Sequence, residues 1–450
     1  MDNMQSVSLA TDLYQLTMAQ ALWRLGEEKK EGVFHFFFRK APFRGSSALF
    51  AGWDTFLSLY QNLTFSSQDI TYLSTLKTEE GSFLFETCFL AYLAEMEWDL
   101  SFAGVEEGRI VFPLEPLIRV EGNLIQALLI ESLLLHIFNF QTAVATKAAR
   151  MCTAAQGDPV IEMGLRRSLG LDSALMASRA AFIGGCSATS FVKAGEIFSI
   201  PVKGTQSHNW ILAQIEEKEA FAKWAEVSSS PIVFLVDTYD TKNALRSLIP
   251  ILEILTKQKR RVAIRLDSGD LLVLSRWCRD YLDKAGLKEV QIMASNNLDE
   301  YALVDLKKAF APITIWGIGS KLVVPDTLLD GVYKMGAFRE NRDSSWKFVA
   351  KHAENREKKS LPGRLFVKRF YVQNRAVGDG MYSCVHKEEK KEQYNLLNCY
   401  KHGEQEDLFI PFIQEGNTLY RRESLESIRQ RFEREKGYFS SDIFSIDNQT

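Results

Sequence analysis

A chain of 450 residues, 46% hydrophobic and 25% charged, has room for two folded domains and the ordinary composition of a globular protein. A formal net charge of −3 gives no sign of a nucleic-acid or membrane partner. The six cysteines (Cys88, Cys152, Cys186, Cys278, Cys384 and Cys399) form no CxxC pair, which argues against a zinc site or disulfide framework and for reduced thiols in the cytoplasm.

The first residues, MDNMQSVSLATD, lack the basic and apolar regions of a signal peptide. TDLYQLTMAQALW (11–23) predicts a helix with Thr11 as N-cap, and VFHFFF (33–38) an almost wholly aromatic strand. The basic turn RKAPFRGSS (39–47) follows, with helices expected up to residue 100. LIQALLIESLLLHIF (124–138), interrupted by Glu131 and His136, is too short to span a bilayer and predicts a core helix.

From Pro159 to Ser320 an apolar run ends seven times on small, polar or charged residues before a helical pattern takes over. The runs are VIEMG (160–164), FIGG (182–185), IPVKGT (200–205), IVFLVD (232–237), VAIRLDSG (262–269), VQIMASN (290–296) and ITIWGIGS (313–320). They are short and apolar without alternation, as strands covered on both faces must be. The expectation is an α/β fold with an irregular, TIM-like α/β barrel over 116–338. The N-terminal (1–115) and C-terminal (339–450) regions would supply a second α/β domain. Parallel strands bring their C-terminal ends together, so Glu162, Thr205, His208, Asp237, Arg265, Asp267, Asn296, Gly317 and Ser320 would ring one mouth. The C-terminal region begins strand-rich (LFVKRFYV, 365–372). It closes on RRESLESIRQRFEREKG (421–437), a helix with Leu425, Ile428 and Phe432 on one face and a solvated charged face.

WGIGSKLV (316–323) sets Gly317, Gly319 and Ser320 between strand and helix, where backbone N–H groups can hold a phosphate or where glycine merely makes a tight turn. FIGGCSAT (182–189) offers a second such turn, so two anion cradles are expected on one rim. In RLDSGD (265–270), Arg265 and Asp267 stand at i and i+2 and face the same side of a strand. They are either a structural ion pair or a binding pair, with Arg265 on a planar carboxylate or phosphate and Asp267 on sugar hydroxyls or developing positive charge. His208, in GTQSHNW (204–210), lies just past a strand end among such residues, where an imidazole can act as base or accept a phosphoryl group.

These segments resemble nicotinate phosphoribosyltransferases. The resemblance is carried by TDLYQLTMA (11–19), FFRKAPFRG (37–45), residues 162–211, LVDTYDT (235–241), RLDSGDL (265–271), GIGSKLV (317–323), GVYKM (331–335) and SLPGR (360–364), in order over residues 11–365. It implies an ATP-coupled enzyme that joins nicotinate to the ribose of phosphoribosyl pyrophosphate, giving nicotinate mononucleotide and pyrophosphate in NAD salvage. Mg²⁺ and a head-to-tail homodimer with composite active sites are implied as well. His208 matches the phosphorylated histidine, Thr205 a nicotinate contact and Arg265 the arginine on the nicotinate carboxylate. Gly317, Gly319 and Ser320 match the phosphate grip, Arg166 a phosphate or pyrophosphate contact, and Asp267 a ribose contact. Tyr14 matches a tyrosine that stacks on the pyridine ring in the neighbouring subunit. Met163 stands where relatives usually carry Phe, and GTQSHN differs from the usual residues flanking the histidine. A nicotinamide phosphoribosyltransferase is the nearest rival, but CSATSFVKAG (186–195) has none of the acidic residues those relatives carry there. DTYDT (237–241) resembles the ribose loop of type I phosphoribosyltransferases, whose fold the barrel repeat opposes. A non-catalytic pyridine-nucleotide sensor would need no phosphoryl acceptor.

Overall fold

The computed structural model describes residues 7–228, 231–351, 360–383, 392–394, 404–440 and 443–444. The chain forms two compact units, one of Met1–Ala143 with Thr327–Ile443, the other of Val144–Asp326 with Phe444–Thr450.

The first unit is built on a seven-stranded antiparallel sheet in the order Lys347–Phe348, Gly331–Arg339, Glu31–Phe38, Ile118–Asn123, Ser101–Gly104, Ile410–Gln414, Asn417–Thr418. Its central strand is the aromatic run, buried from Gly32 to Phe38. Phe34, Phe36 and Phe38 join Trp53, Phe56, Phe138 and Phe412 in one core, where Trp53 and Phe412 stack 3.8 Å apart. The N-terminal helix is Leu13–Arg24, with Asp12 rather than Thr11 at the N-cap position and no side-chain capping bond. Thr11 Oγ1 donates instead to Leu129 O at 3.2 Å, a partner 118 residues away that local sequence does not announce.

The helix Leu425–Tyr438 corrects the expectation of a solvated charged face. Ile428 and Phe432 are buried as read, but Glu435 is buried with them. Its carboxylate accepts from Arg369 Nη1 at 2.5 Å and Arg109 Nη1 at 2.7 Å, while Asp379 takes a two-pronged bond from Arg369 at 2.8 and 2.7 Å. Arg369 is itself fully buried, so each charge is desolvated and must be paired.

The greasy stretch is longer than the sequence reading allowed. Leu124–Leu129 leads into Glu131–Ala154, and the 31 residues Leu124–Ala154 have the length and composition of a membrane-crossing helix. Most of its apolar window is buried inside the protein, as a core helix would be.

The second unit holds a six-stranded parallel sheet, a half-barrel whose ladder is open. Its order is Ala188–Thr189, Val160–Glu162, Ile315–Ile318, Gln291–Ala294, Val262–Leu266, Ile232–Leu235. Five of the seven expected runs are strands (160–164, 232–237, 262–269, 290–296 and 313–320), nearly all buried as parallel strands must be. The other two are not. Residues 200–205 contribute only an isolated parallel bridge, Thr189 to Val202. FIGG ends the helix Leu171–Ile183, and a Cβ on Gly184 would meet Ala145 O at 2.4 Å and Ala148 Cβ at 2.5 Å. Its glycines serve close helix packing, so the second expected anion cradle is absent from this turn.

Candidate active site

The C-terminal ends of the parallel strands enclose a cavity of about 610 Å³, formed wholly by the second unit. Met163, Arg166, Thr205, Arg265, Asp267, Gly317, Gly319 and Ser320 line it. His208 stands at the rim, where its Nε2 lies 3.7 Å from Asp267 Oδ2.

The strand Val262–Leu266 delivers Arg265 with its guanidinium fixed on three sides. Nε donates to Ser295 Oγ at 2.8 Å, Nη1 to Thr205 Oγ1 at 2.7 Å and Nη2 to Asp267 Oδ1 at 2.9 Å. A guanidinium has five N–H groups, so one N–H on each Nη is left for a ligand. Of the two sequence alternatives the ion pair is observed, and the N–H left on each Nη is compatible with the binding role. Asp267 is held through Oδ1, which also accepts from Ser295 Oγ at 2.5 Å. Burial pushes its carboxyl up, but the Ser295 hydrogen bond, the Arg265 charge and His208 outweigh that and hold it below the ordinary carboxylate value.

Asp237, at the end of the neighbouring strand, organises this turn. Its Oδ2 accepts from Asp267 N at 3.0 Å and Ser268 Oγ at 2.5 Å, while Oδ1 is buried without a hydrogen-bond partner. His208 opens the short helix His208–Leu212, and its Nδ1 lies 3.1 Å from Thr238 Oγ1. That contact leaves Nε2 as the ring nitrogen available for chemistry.

On the opposite wall, Met163 N donates to Ile318 O at 2.7 Å. A Cβ on Gly317 would meet Met293 Cε at 2.8 Å and Met163 Sδ at 3.0 Å, so glycine leaves room there for the two thioethers. Gly319 precedes the single-turn helix Ser320–Val323. Arg166 lies in the turn Leu165–Arg167, exposed and free of hydrogen bonds or ion pairs with the described residues. Glu162 does not join the mouth. It is buried and accepts from Ser178 Oγ at 2.9 Å, Thr189 Oγ1 at 2.5 Å and Gly164 N, clasping the turn that carries Met163 and Arg166.

Tyr14 belongs to the first unit and is not among the residues lining the cavity. It is half exposed on the helix Leu13–Arg24, and its hydroxyl accepts from Gln15 Nε2 at 2.9 Å. Burial, then the carboxylates of Glu131 and Asp12, push its phenol up, so the side chain is a neutral ring.

Residues 9–139 match the nicotinate phosphoribosyltransferase (NAPRTase) N-terminal domain. The chain is 39% identical over 394 residues to the nicotinate phosphoribosyltransferase of Bacillus subtilis, covering 87% of this chain and 79% of that protein. It is 37% identical over 335 residues to one from Mycobacterium tuberculosis, covering 74% and 70%. The chain belongs to the nicotinate phosphoribosyltransferase family. The crystal structure of human nicotinic acid phosphoribosyltransferase shares the fold, with a TM-score of 0.78 at 24% identity over 96% of this chain and 95% of that one. A nicotinate-nucleotide pyrophosphorylase from Pyrococcus furiosus does so too, with a TM-score of 0.74 at 20% identity over 97% of each chain.

At the half-barrel mouth of this chain Asn296 stands where the sequence placed it, beside Ser295 and Asn297, which the sequence reading passed over. Ser295 touches both Arg265 and Asp267. Asn296 and Asn297 line the cavity with left-handed backbones, φ 102° and 48°, a strain that clusters at binding sites. The run of two asparagines after a strand was the available signal, since Asn tolerates that conformation better than most residues.

Proposed function

We propose that this protein is a nicotinate phosphoribosyltransferase that couples ATP hydrolysis to nicotinate mononucleotide formation in NAD salvage, in the cytoplasm. The observation that carries the reading is the Arg265 guanidinium, braced by Ser295, Thr205 and Asp267 with one N–H left on each Nη. That fork suits a planar carboxylate such as nicotinate's.

The chemistry assigned to the chain follows from charge. As pyrophosphate leaves C1 of the ribose, positive charge develops on the sugar, and an ionised Asp267 stabilises it. The pyridine nitrogen, a weak nucleophile, closes the new C–N bond, and its positioning by Thr205, Arg265 and Met163 supplies much of the rate. Arg166, with Gly317, Gly319 and Ser320, receives the phosphates. Among the described residues no group of three or more His, Cys, Asp or Glu side chains could hold a metal ion. Mg²⁺ is assigned to the pyrophosphate of the substrate, where it would offset the charge of the leaving group.

His208 is assigned as the phosphoryl acceptor. Nε2 takes the γ-phosphoryl group of ATP, releasing ADP, and water later cleaves the P–N bond to give phosphate. Tyr14, a neutral half-exposed ring, is assigned to the pyridine of the partner's site in a homodimer. The deciding experiment is a direct measurement of nicotinate mononucleotide formed from nicotinate and phosphoribosyl pyrophosphate, with and without ATP. Product that rises with ATP supports the reading, and no product under either condition refutes it.

A further inference from the structure

Arg265 lies on the strand Val262–Leu266 and Asp267 directly follows it, but the group that locks them follows the neighbouring strand. The strands Val262–Leu266 and Gln291–Ala294 run parallel with Met293 opposite Arg265 and Ala294 opposite Leu266, so Ser295 arrives beside Asp267. Ser295 N donates to Leu266 O at 2.9 Å, which fixes the backbone. Its hydroxyl, almost fully buried, accepts from Arg265 Nε at 2.8 Å and spends its one hydrogen on Asp267 Oδ1 at 2.5 Å. The alternative acceptor, Leu266 O at 3.5 Å, is too distant to compete.

We propose that Ser295 is a positioning residue that joins Arg265 and Asp267 into one rigid unit, so that Asp267 Oδ2 and the outer N–H groups of Arg265 are presented to substrate in a fixed relation. Oδ1 is held twice, by Ser295 and by Arg265, while Oδ2 takes a bond from neither and lies 3.7 Å from His208 Nε2. The same oxygen is thus set aside for the sugar. The groups that face this carboxylate are Arg265 on the strand it follows, His208 on the helix His208–Leu212, Asp237 after Ile232–Leu235, and Ser295 after Gln291–Ala294. Of the influences that oppose burial, the Ser295 hydrogen bond is the largest. Replacing it with a methyl group removes the donor from Asp267 and the acceptor from Arg265 at once. This role rests on the reaction assigned above.

The test compares wild type, Ser295→Ala and Ser295→Thr by the pH dependence of kcat/KM for both substrates, and by the pH dependence of thermal unfolding. Ser295→Ala is expected to lower kcat/KM by roughly 10- to 100-fold, the loss that follows removal of a bond to a charged group. Its acid limb moves to higher pH, and Ser295→Thr restores both. The melting-temperature deficit of Ser295→Ala is greatest at neutral pH. It narrows as pH falls through about 4, because a carboxyl held low when folded contributes stability above its unfolded value that is lost on protonation. Should Ser295→Ala fail to fold, Ser295→Cys, which keeps the volume and weakens the donor, is expected to move the acid limb the same way. Unchanged kcat/KM, or a loss with an unmoved acid limb and a pH-independent melting deficit, overturns the proposal. If wild type makes no nicotinate mononucleotide, the assigned reaction fails, and the unfolding series alone still decides whether Ser295 governs Asp267.

Discussion

Arg265→Lys separates recognition of the pyridine carboxylate from everything else the site does. Arginine makes three bonds to Ser295, Thr205 and Asp267 and keeps one N–H on each Nη. An ammonium has three donors on a single rotating nitrogen, so it can retain the charge and the contact with Asp267 but not a two-pronged grip on a carboxylate. Losing one charge-assisted bond costs about 1.5 to 3 kcal/mol, or roughly 10- to 150-fold in the Michaelis constant for nicotinate. The constants for ATP and phosphoribosyl pyrophosphate should change far less. Initial rates of nicotinate mononucleotide formation, with each substrate varied in turn, measure the three constants. An unchanged nicotinate dependence would show that Arg265 serves only its ion pair with Asp267, and the carboxylate assignment would fall.

His208→Ala should abolish ATP hydrolysis and labelling of the protein by γ-phosphate while leaving slow ATP-independent transfer, since the acceptor is separate from the glycosyl centre; persistent histidine labelling in the mutant refutes the assignment. Tyr14→Ala and Arg265→Ala homodimers should each be nearly inactive, yet recover roughly a quarter of wild-type activity when their subunits are unfolded and reassembled together. Random exchange of a twofold dimer makes half the population mixed, with one intact site in each mixed dimer. No recovery despite mass-spectrometric proof of mixed dimers means that each site is made by one chain. His35, in the first unit, provides a pH prediction. It is buried, accepts from Leu365 N at 3.1 Å through Nε2, and burial followed by the charges of Arg119 and Arg364 lowers its pKa to about 3. Its neutral form contributes stability that is complete above the unfolded value near 6.5 and lost as pH falls toward 3. Between pH 7 and 5 wild type should lose roughly 2 kcal/mol more than His35→Gln in urea unfolding, and equal losses would contradict it.

What could be read from the sequence was whatever a residue type and its immediate neighbours determine. Buried parallel strands demand unbroken apolar runs, so IVFLVD, VAIRLDSG and VQIMASN were legible, and with them the placement of Arg265 and Asp267 at one mouth. FIGG carries the same apolar signal, but its Gly184 answers to Ala145 and Ala148 on another helix, which no local pattern contains. Thr11 is a good N-cap by type, yet its hydroxyl is taken by Leu129 O. Glu435 sits in a charge run that reads as solvated until Arg369, 66 residues upstream, is brought against it.

Ser295 illustrates why site residues escape such reading. Serine after a strand is commonplace, and nothing in QIMASNN marks its hydroxyl as the bridge between two charges some thirty residues earlier. Charged residues reveal themselves because burying them is costly and demands partners; the small neutral group that partners them carries no such cost when exposed. Arg265 and Asp267 could therefore be named from the sequence, whereas the hydroxyl that sets their geometry becomes visible only when the parallel register places Ala294 beside Leu266. The same asymmetry applies to Asp237 Oδ2, which was counted among the residues of the mouth but in the fold braces Asp267 N and Ser268 from behind. The reacting groups of a strand-end site are legible as chemistry, and the groups that aim them are legible only as register.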